Sequence, residues 1–239
     1  MRTVGVILAG GRARRLGGGD KGLVAVGGTP MLERIVARFG SQVDRLVLSA
    51  NGDPGRFRSR PPLTGLPVLP DAGADGAPAA GDEDGAGPLA GILAALDWIA
   101  AQGLDATHLV SVPTDCPFLP ADLVARLAAA SAGAQASGAV APRIVAVARS
   151  CPDGSGWIPP RLHPVVARWP VTLRSDLRRA LYREGVRSVG AFLARCPVIP
   201  VDFAPLDVGP GGGIDPFFNV NTPDDLAAAD RLAHAPDAG

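Results

Sequence analysis

Glycines and cations crowd one short stretch near the N-terminus. Gly10, Gly11, Gly17, Gly18 and Gly19 are interleaved with Arg12, Arg14, Arg15 and Lys21, directly after the apolar run Val4–Leu8. Without Cβ atoms, successive backbone N–H groups can point at an anion, and the cationic side chains surround it with positive charge. A polyphosphate fits this pattern better than any neutral ligand. The stretch lacks G-x-x-x-x-G-K-[ST], and GGRARRLGGG is not G-x-G-x-x-G, which argues against a standard kinase or dehydrogenase. Farther along, the apolar run His108–Val112 delivers Pro113-Thr114-Asp115-Cys116-Pro117-Phe118-Leu119-Pro120. A carboxylate at the end of a central strand, opposite an anion loop, is where a hard divalent cation would bind, because Mg²⁺ commonly bridges one carboxylate to substrate phosphates. Asp115 is therefore the leading candidate for the chemistry.

The elements that must hold these groups follow from the apolar pattern. Val4–Leu8 has the composition of a fully buried strand. Val24–Val26 is expected to be a short extended piece, followed by a helix with Thr29 as N-cap, Pro30 in the first turn and Met31, Leu32, Ile35, Val36 and Phe39 on its core face. Arg45–Ala50 and Pro67–Pro70 read as strands, Leu89–Ala101 as a helix, and Leu123–Ala129 as another that Asp122 caps or opens. Strand, helix, strand order with apolar strands argues for a parallel sheet, whose ligands gather at the carboxyl ends. Gly138–Ala148 reads as a strand interrupted by Pro142, and Cys151–Pro160 is irregular. Helices over Leu173–Tyr182 and Val186–Arg195 and a strand over Pro197–Phe203 follow, and Gly209–Gly213 is read as a flexible connector. Thr222 as N-cap, Pro223 at N1 and Asp225 at N3 open the last helix.

A length of 239 residues suits one domain, 1–239, with an acidic mobile loop over 72–87 and a frayed tail over 233–239. Lys and Arg number 23 and Asp and Glu 23, so no extended nucleic-acid footprint is expected, and the few aromatic residues argue against base stacking. The apolar run at the N-terminus is far too short to span a membrane and lacks a cleavage site, which leads to an expectation of a cytoplasmic protein. Cys116, Cys151 and Cys196 form neither a disulfide framework nor a zinc spacing.

LAGGRARRLGGGDKGL resembles the signature of the nucleotidyltransferases that share LAGG, a few residues, R-[ML]-G and then DKG, above all the molybdenum cofactor guanylyltransferases. Gly87-Pro88-Leu89-Ala90-Gly91 is similar to that family's GPLAG, the surroundings of Asp115 to its D-x-P-[FY]-[LI]-P, and Asn219–Leu226 to its N-x-N-T-P-[ED]-[DE]-L. The resemblance implies an α/β, Rossmann-like three-layer fold with a mostly parallel central sheet. It implies transfer of GMP from GTP to the terminal phosphate of molybdenum-bearing molybdopterin, with release of pyrophosphate. Arg15, Lys21 and Asp115 would be the catalytic residues. Leu8, Ala9, Gly10, Gly11, Lys21, Asn51, Asp71, Gly87, Pro88 and Asp115 would bind the nucleotide. Asp115 and Asn221 would hold Mg²⁺, with Mn²⁺ as a substitute. Asn219, Asn221 and His163 would face the acceptor, although His163 reads equally well as a partly buried structural histidine, and Arg12 and Arg14 as electrostatic helpers. GTP and the pterin cofactor are the expected partners, with transient contacts to cofactor-delivering or cofactor-accepting proteins. Cytidylyltransferases acting on the same pterin share the scaffold, so CTP is the alternative nucleotide, and a non-catalytic nucleotide-binding homologue the alternative class.

Overall fold

A computed structural model describes residues 2–11, 13, 15–74, 87–136, 143–151, 160–207 and 213–234. Arg12, Arg14, most of the acidic 72–87 stretch, the Pro142 interruption, nearly all of the irregular segment before Arg161, most of the 209–213 connector and the end of the tail lie outside the described residues. Seven strands build the main sheet: β1 Arg2–Leu8, β2 Arg45–Ser49, β3 Val68–Leu69, β4 Ala106–Pro113, β5 Val145–Ser150, β6 Arg161–Pro170 and β7 Val198–Phe203. Their order is β3-β2-β1-β4-β6-β5-β7. Every neighbouring pair is parallel except those made by β6, which runs against both β4 and β5.

Helices α1 Met31–Phe39, α2 Gly55–Arg58, α3 Pro88–Ala101, α4 Leu123–Ala136, α5 Arg174–Tyr182, α6 Val189–Leu193 and α7 Pro223–Ala233 complete the described elements, together with short 3₁₀ turns and two small ribbons. Successive strand residues point to opposite faces, and the core splits accordingly. Val4, Val6, Val47 and Leu109 pack with Leu89, Leu93, Leu96, Leu177 and Phe192 on the α3, α5 and α6 side. Ile7, Leu48, Val110 and Val112 pack with Leu32, Ile35, Phe39, Leu123 and Leu127 on the α1 and α4 side. The result is three layers.

Two local expectations need correction. Thr29 does not cap α1: it pairs with Val26 in an antiparallel ribbon, and Pro30 takes the cap position without a side-chain bond. The strand expected over Gly138–Ala148 is described from Val145 and continues to Ser150. At α7 the capping box forms as expected: Thr222 Oγ1 accepts from Asp225 N at 3.1 Å, and Asp225 Oδ2 accepts from Thr222 N at 2.9 Å.

The placement of β6 decides where a site can form. The carboxyl ends of β1, β2 and β4, at Leu8, Ser49 and Pro113, lie along one edge of the sheet. Because β6 is antiparallel to β4, its amino end, beginning at Arg161, arrives at that same edge.

Candidate active site

A cleft of about 440 Å³ opens along this edge. Its floor is Leu8, Ser49, Pro113, Thr114 and Asp115 from the strand ends; Gly10, Gly11 and Lys21 come from the first loop, and Arg161 to Val166 from β6. The loop keeps its shape through backbone bonds, with Lys21 N donating to Gly11 O at 3.1 Å and Ala13 N to Gly19 O at 3.0 Å. Gly17, Gly18 and Gly19 take φ values of +94°, +90° and +78°, a run of left-handed backbone that side chains other than glycine adopt at a cost. Asp20 Oδ1 accepts from Gly22 N at 3.0 Å and caps the 3₁₀ turn Lys21–Leu23, while its Oδ2 pairs with Arg56 Nε at 2.8 Å. The turn aims Lys21 into the cleft.

There the lysine meets the far parts of the chain. Its Nζ donates to Asp115 Oδ2 at 2.8 Å and to Asn221 Oδ1 at 2.5 Å. Val220 N donates to Asp115 O at 2.9 Å, which fastens the asparagine segment to the end of β4. Asn51 and Asp71 form a second cluster in the cleft: Asp71 N donates to Asn51 Oδ1 at 2.9 Å, and Asn51 Nδ2 to Asp71 Oδ2 at 3.1 Å. Gly87 and Pro88 line the wall where α3 begins, and Gly91 lies one turn into it.

Other expected residues sit differently. Arg15 lies on an exposed turn and does not line the cleft, and Ala9 serves through its backbone, N donating to Ser49 O at 2.7 Å. His163 lines the cleft yet is 6% exposed, with Nε2 2.9 Å from Ser150 Oγ and its ring 4.7 Å from Phe217. Burial lowers its pKa, the Asp215 charge partly opposing and the Arg161 charge adding to the fall, so the ring is neutral near pH 7. Cys116 is buried beside Asp115, and burial, reinforced by the Asp115 and Asp215 charges, pushes its thiol well above the ordinary range.

Ser49 and Thr114 line the cleft without having stood out in the sequence, although both were findable as strand-end residues. Arg161 and Leu162 open the stretch through Ala167 that resembles the family's continuation at the acceptor pocket, and the cleft takes in that stretch as far as Val166. Asp115 and Asn221 present a carboxylate and an amide oxygen to one cationic point, a donor set that suits a hard cation. Among the described residues no group of three or more His, Cys, Asp or Glu could hold a metal, so further ligands would come from substrate or water.

A mostly parallel sheet whose carboxyl edge joins a glycine-rich loop to an Asp–Lys–Asn cluster defines a nucleotidyltransferase-type domain, and residues 5–197 match the MobA-like NTP transferase domain. Molybdenum cofactor guanylyltransferase of Rhodopseudomonas palustris (strain BisB5) is 46% identical over 231 residues, covering 97% of this chain and 94% of that one. The enzyme of the same name from Rhodobacter capsulatus is 41% identical, covering 97% of each. The chain belongs to the molybdenum cofactor guanylyltransferase family. Two solved structures share the fold. Molybdopterin-guanine dinucleotide biosynthesis protein A of Archaeoglobus fulgidus has a TM-score of 0.63 at 21% identity, covering 96% of this chain and 98% of that one. A Mycobacterium tuberculosis H37Rv protein, solved as a complex with manganese, has a TM-score of 0.60 at 19% identity, covering 97% and 99%.

Proposed function

We propose that this protein transfers GMP from GTP to the terminal phosphate of molybdenum-bearing molybdopterin, forming the guanine dinucleotide cofactor and pyrophosphate. The observation that carries the reading is the convergence of Lys21, Asp115 and Asn221 at the point where the glycine loop closes on the cleft. The bond formed joins an acceptor phosphate oxygen to the α-phosphorus of GTP, and the bond broken is the α–β phosphoanhydride. The attacking phosphate is an anion near neutral pH, so no side chain has to abstract a proton. What the site must supply is alignment and charge neutralisation.

The loop N–H groups and Lys21 hold the triphosphate, Arg15 adds positive charge from the exposed turn of the same loop outside the cleft, and Asn51 and Asp71 hold the nucleoside end. Asp115 and Asn221 would hold Mg²⁺, or Mn²⁺ in its place; when bound, the ion neutralises phosphate charge. Asn219 and the cleft wall of β6 face the acceptor. Relatives named guanylyltransferase favour GTP over the CTP alternative. The proposed setting is the cytoplasm, with transient hand-over of the pterin between proteins; among the described residues no helix is long and apolar enough to cross a membrane.

The test is pyrophosphate release from GTP, with and without the pterin, across a titration of Mg²⁺. Wild type is expected to require both, to prefer GTP over CTP, and to lose metal dependence and turnover in Asp115→Ala. Unchanged metal dependence and turnover in Asp115→Ala would refute the metal assignment, and equal use of CTP the choice of nucleotide.

A further inference from the structure

The two asparagines that enter the site from one segment are held by different partners. Asn221 Oδ1 accepts from Lys21 Nζ. Asn219 Oδ1 instead lies 2.8 Å from the Cys116 sulfur, whose other acceptors within reach are the Phe217 carbonyl at 3.5 Å and Asp115 Oδ1 at 3.8 Å. A thiol has one hydrogen to donate, and the Asn219 oxygen is its nearest acceptor. A carboxamide holds its oxygen and its NH₂ group in one plane, so an oxygen fixed on the sulfur also fixes where the two N–H donors lie. Cys116, 1% exposed, and the half-buried Asn219 both line the cleft, and among the described residues nothing accepts from the amide N–H groups, which leaves them for a ligand in the cleft.

We infer that Cys116 is a positioning residue: its thiol locks the Asn219 amide with its N–H groups toward the acceptor, so that Asn219 binds an anionic or carbonyl oxygen there and supplies no oxygen to a cation. The cation-binding oxygens are left to Asp115 and Asn221. This inference rests on the proposed transfer reaction for its acceptor, but the sulfur–amide contact does not.

The full-length chain is assayed with GTP and molybdenum-bearing molybdopterin, and KM is measured for each substrate in Cys116→Ala, Cys116→Ser, Asn219→Ala and the double variant Cys116→Ala/Asn219→Ala. Loss of one oriented hydrogen bond is expected to raise the acceptor KM about tenfold in Cys116→Ala. KM for GTP stays within about twofold, because the nucleotide makes no use of the contact. Cys116→Ser keeps a donor and restores most of the loss, and the double variant is no worse than Asn219→Ala. Raman spectroscopy supplies a readout independent of turnover. The Cys116 S–H band, identified by its absence in Cys116→Ser, moves to higher frequency in Asn219→Ala. An unchanged acceptor KM in Cys116→Ala, an equal rise for GTP, additive losses in the double variant or an unmoved S–H band each overturns the inference. If wild type releases no pyrophosphate with the pterin, the transfer reading fails, while the S–H band still decides the contact.

Discussion

Lys21 does two jobs that substitution can separate. Its ammonium neutralises Asp115 in a pair whose side chains are 11% and 20% exposed, and under the proposed reaction it also carries phosphate charge. Removing one partner of a largely buried pair leaves the other charge poorly solvated, at a cost of about 1–3 kcal/mol. Lys21→Met is therefore expected to be destabilised by that amount in denaturant titrations. The double variant Lys21→Met/Asp115→Asn, with both charges gone, should recover most of it. Turnover behaves otherwise: each single variant and the double should lose about 10²–10³-fold, because the lost charge compensation is not restored by repairing the pair. Equal stability of Lys21→Met and wild type, or recovery of turnover in the double variant, would refute the assignment of two separate roles.

At the level of elements, α3 is seated by a glycine. A Cβ on Gly91 would lie 2.4 Å from Ser49 Oγ and 2.8 Å from Leu8 Cδ2, so the helix crosses the ends of β1 and β2 only because that atom is missing. Gly91→Ala forces the buried Ser49 side chain and the Leu8 side chain to give way or the helix to lift, at a cost of about 1–3 kcal/mol. Because Leu8 and Ser49 also line the cleft, the GTP KM should rise along with the fall in melting temperature. A variant that melts like wild type would show that α3 has room to move. The same contact shows what the sequence could reveal. β1, β2 and β4 were legible because both faces are buried and they read as mostly apolar runs. β6 was not, since Arg161, His163, Pro164 and Arg168 interrupt its pattern, yet it supplies one whole wall of the cleft. Lys21, Asp115 and Asn221 were legible as residue types within motifs. Their meeting was not, because 94 and 200 residues separate Lys21 from its two partners and only the sheet order brings them together. The contact of Cys116 was not legible, since nothing in the sequence puts Asn219 beside it.

For the molecule as a whole, the two histidines buried in or beside the sheet set the acid limit. His108 on β4 is 7% exposed, with Nδ1 2.9 Å from Thr107 Oγ1 and a buried Nε2 that has no partner among the described residues. Burial first, and then the charge of Arg168 on the adjacent β6, pulls its pKa from 6.5 to about 4. Arg168 is itself buried and lowered to about 10, so it stays charged throughout the acid range and keeps opposing protonation of His108. The unfolded chain takes up its proton near pH 6.5 and the folded chain only near pH 4. Between those values the unfolded state binds more protons, and stability must fall as the pH drops. His163, lowered mainly by burial, adds to the same fall. Glu184, Asp202 and Asp225 act later: hydrogen bonds, from Arg195, Arg149 and the Asn221 backbone respectively, lower their pKa values, so their contribution is intact above the ordinary carboxylate range and fades only as the pH falls through the depressed values. Wild type should therefore lose about 2 kcal/mol of unfolding free energy between about pH 7 and pH 5, most of it from His108. His108→Gln removes that titration and should flatten most of the slope, leaving the part due to His163. Urea denaturation of both proteins at the two pH values measures it, and an undiminished slope in His108→Gln would move the acid sensitivity away from the sheet.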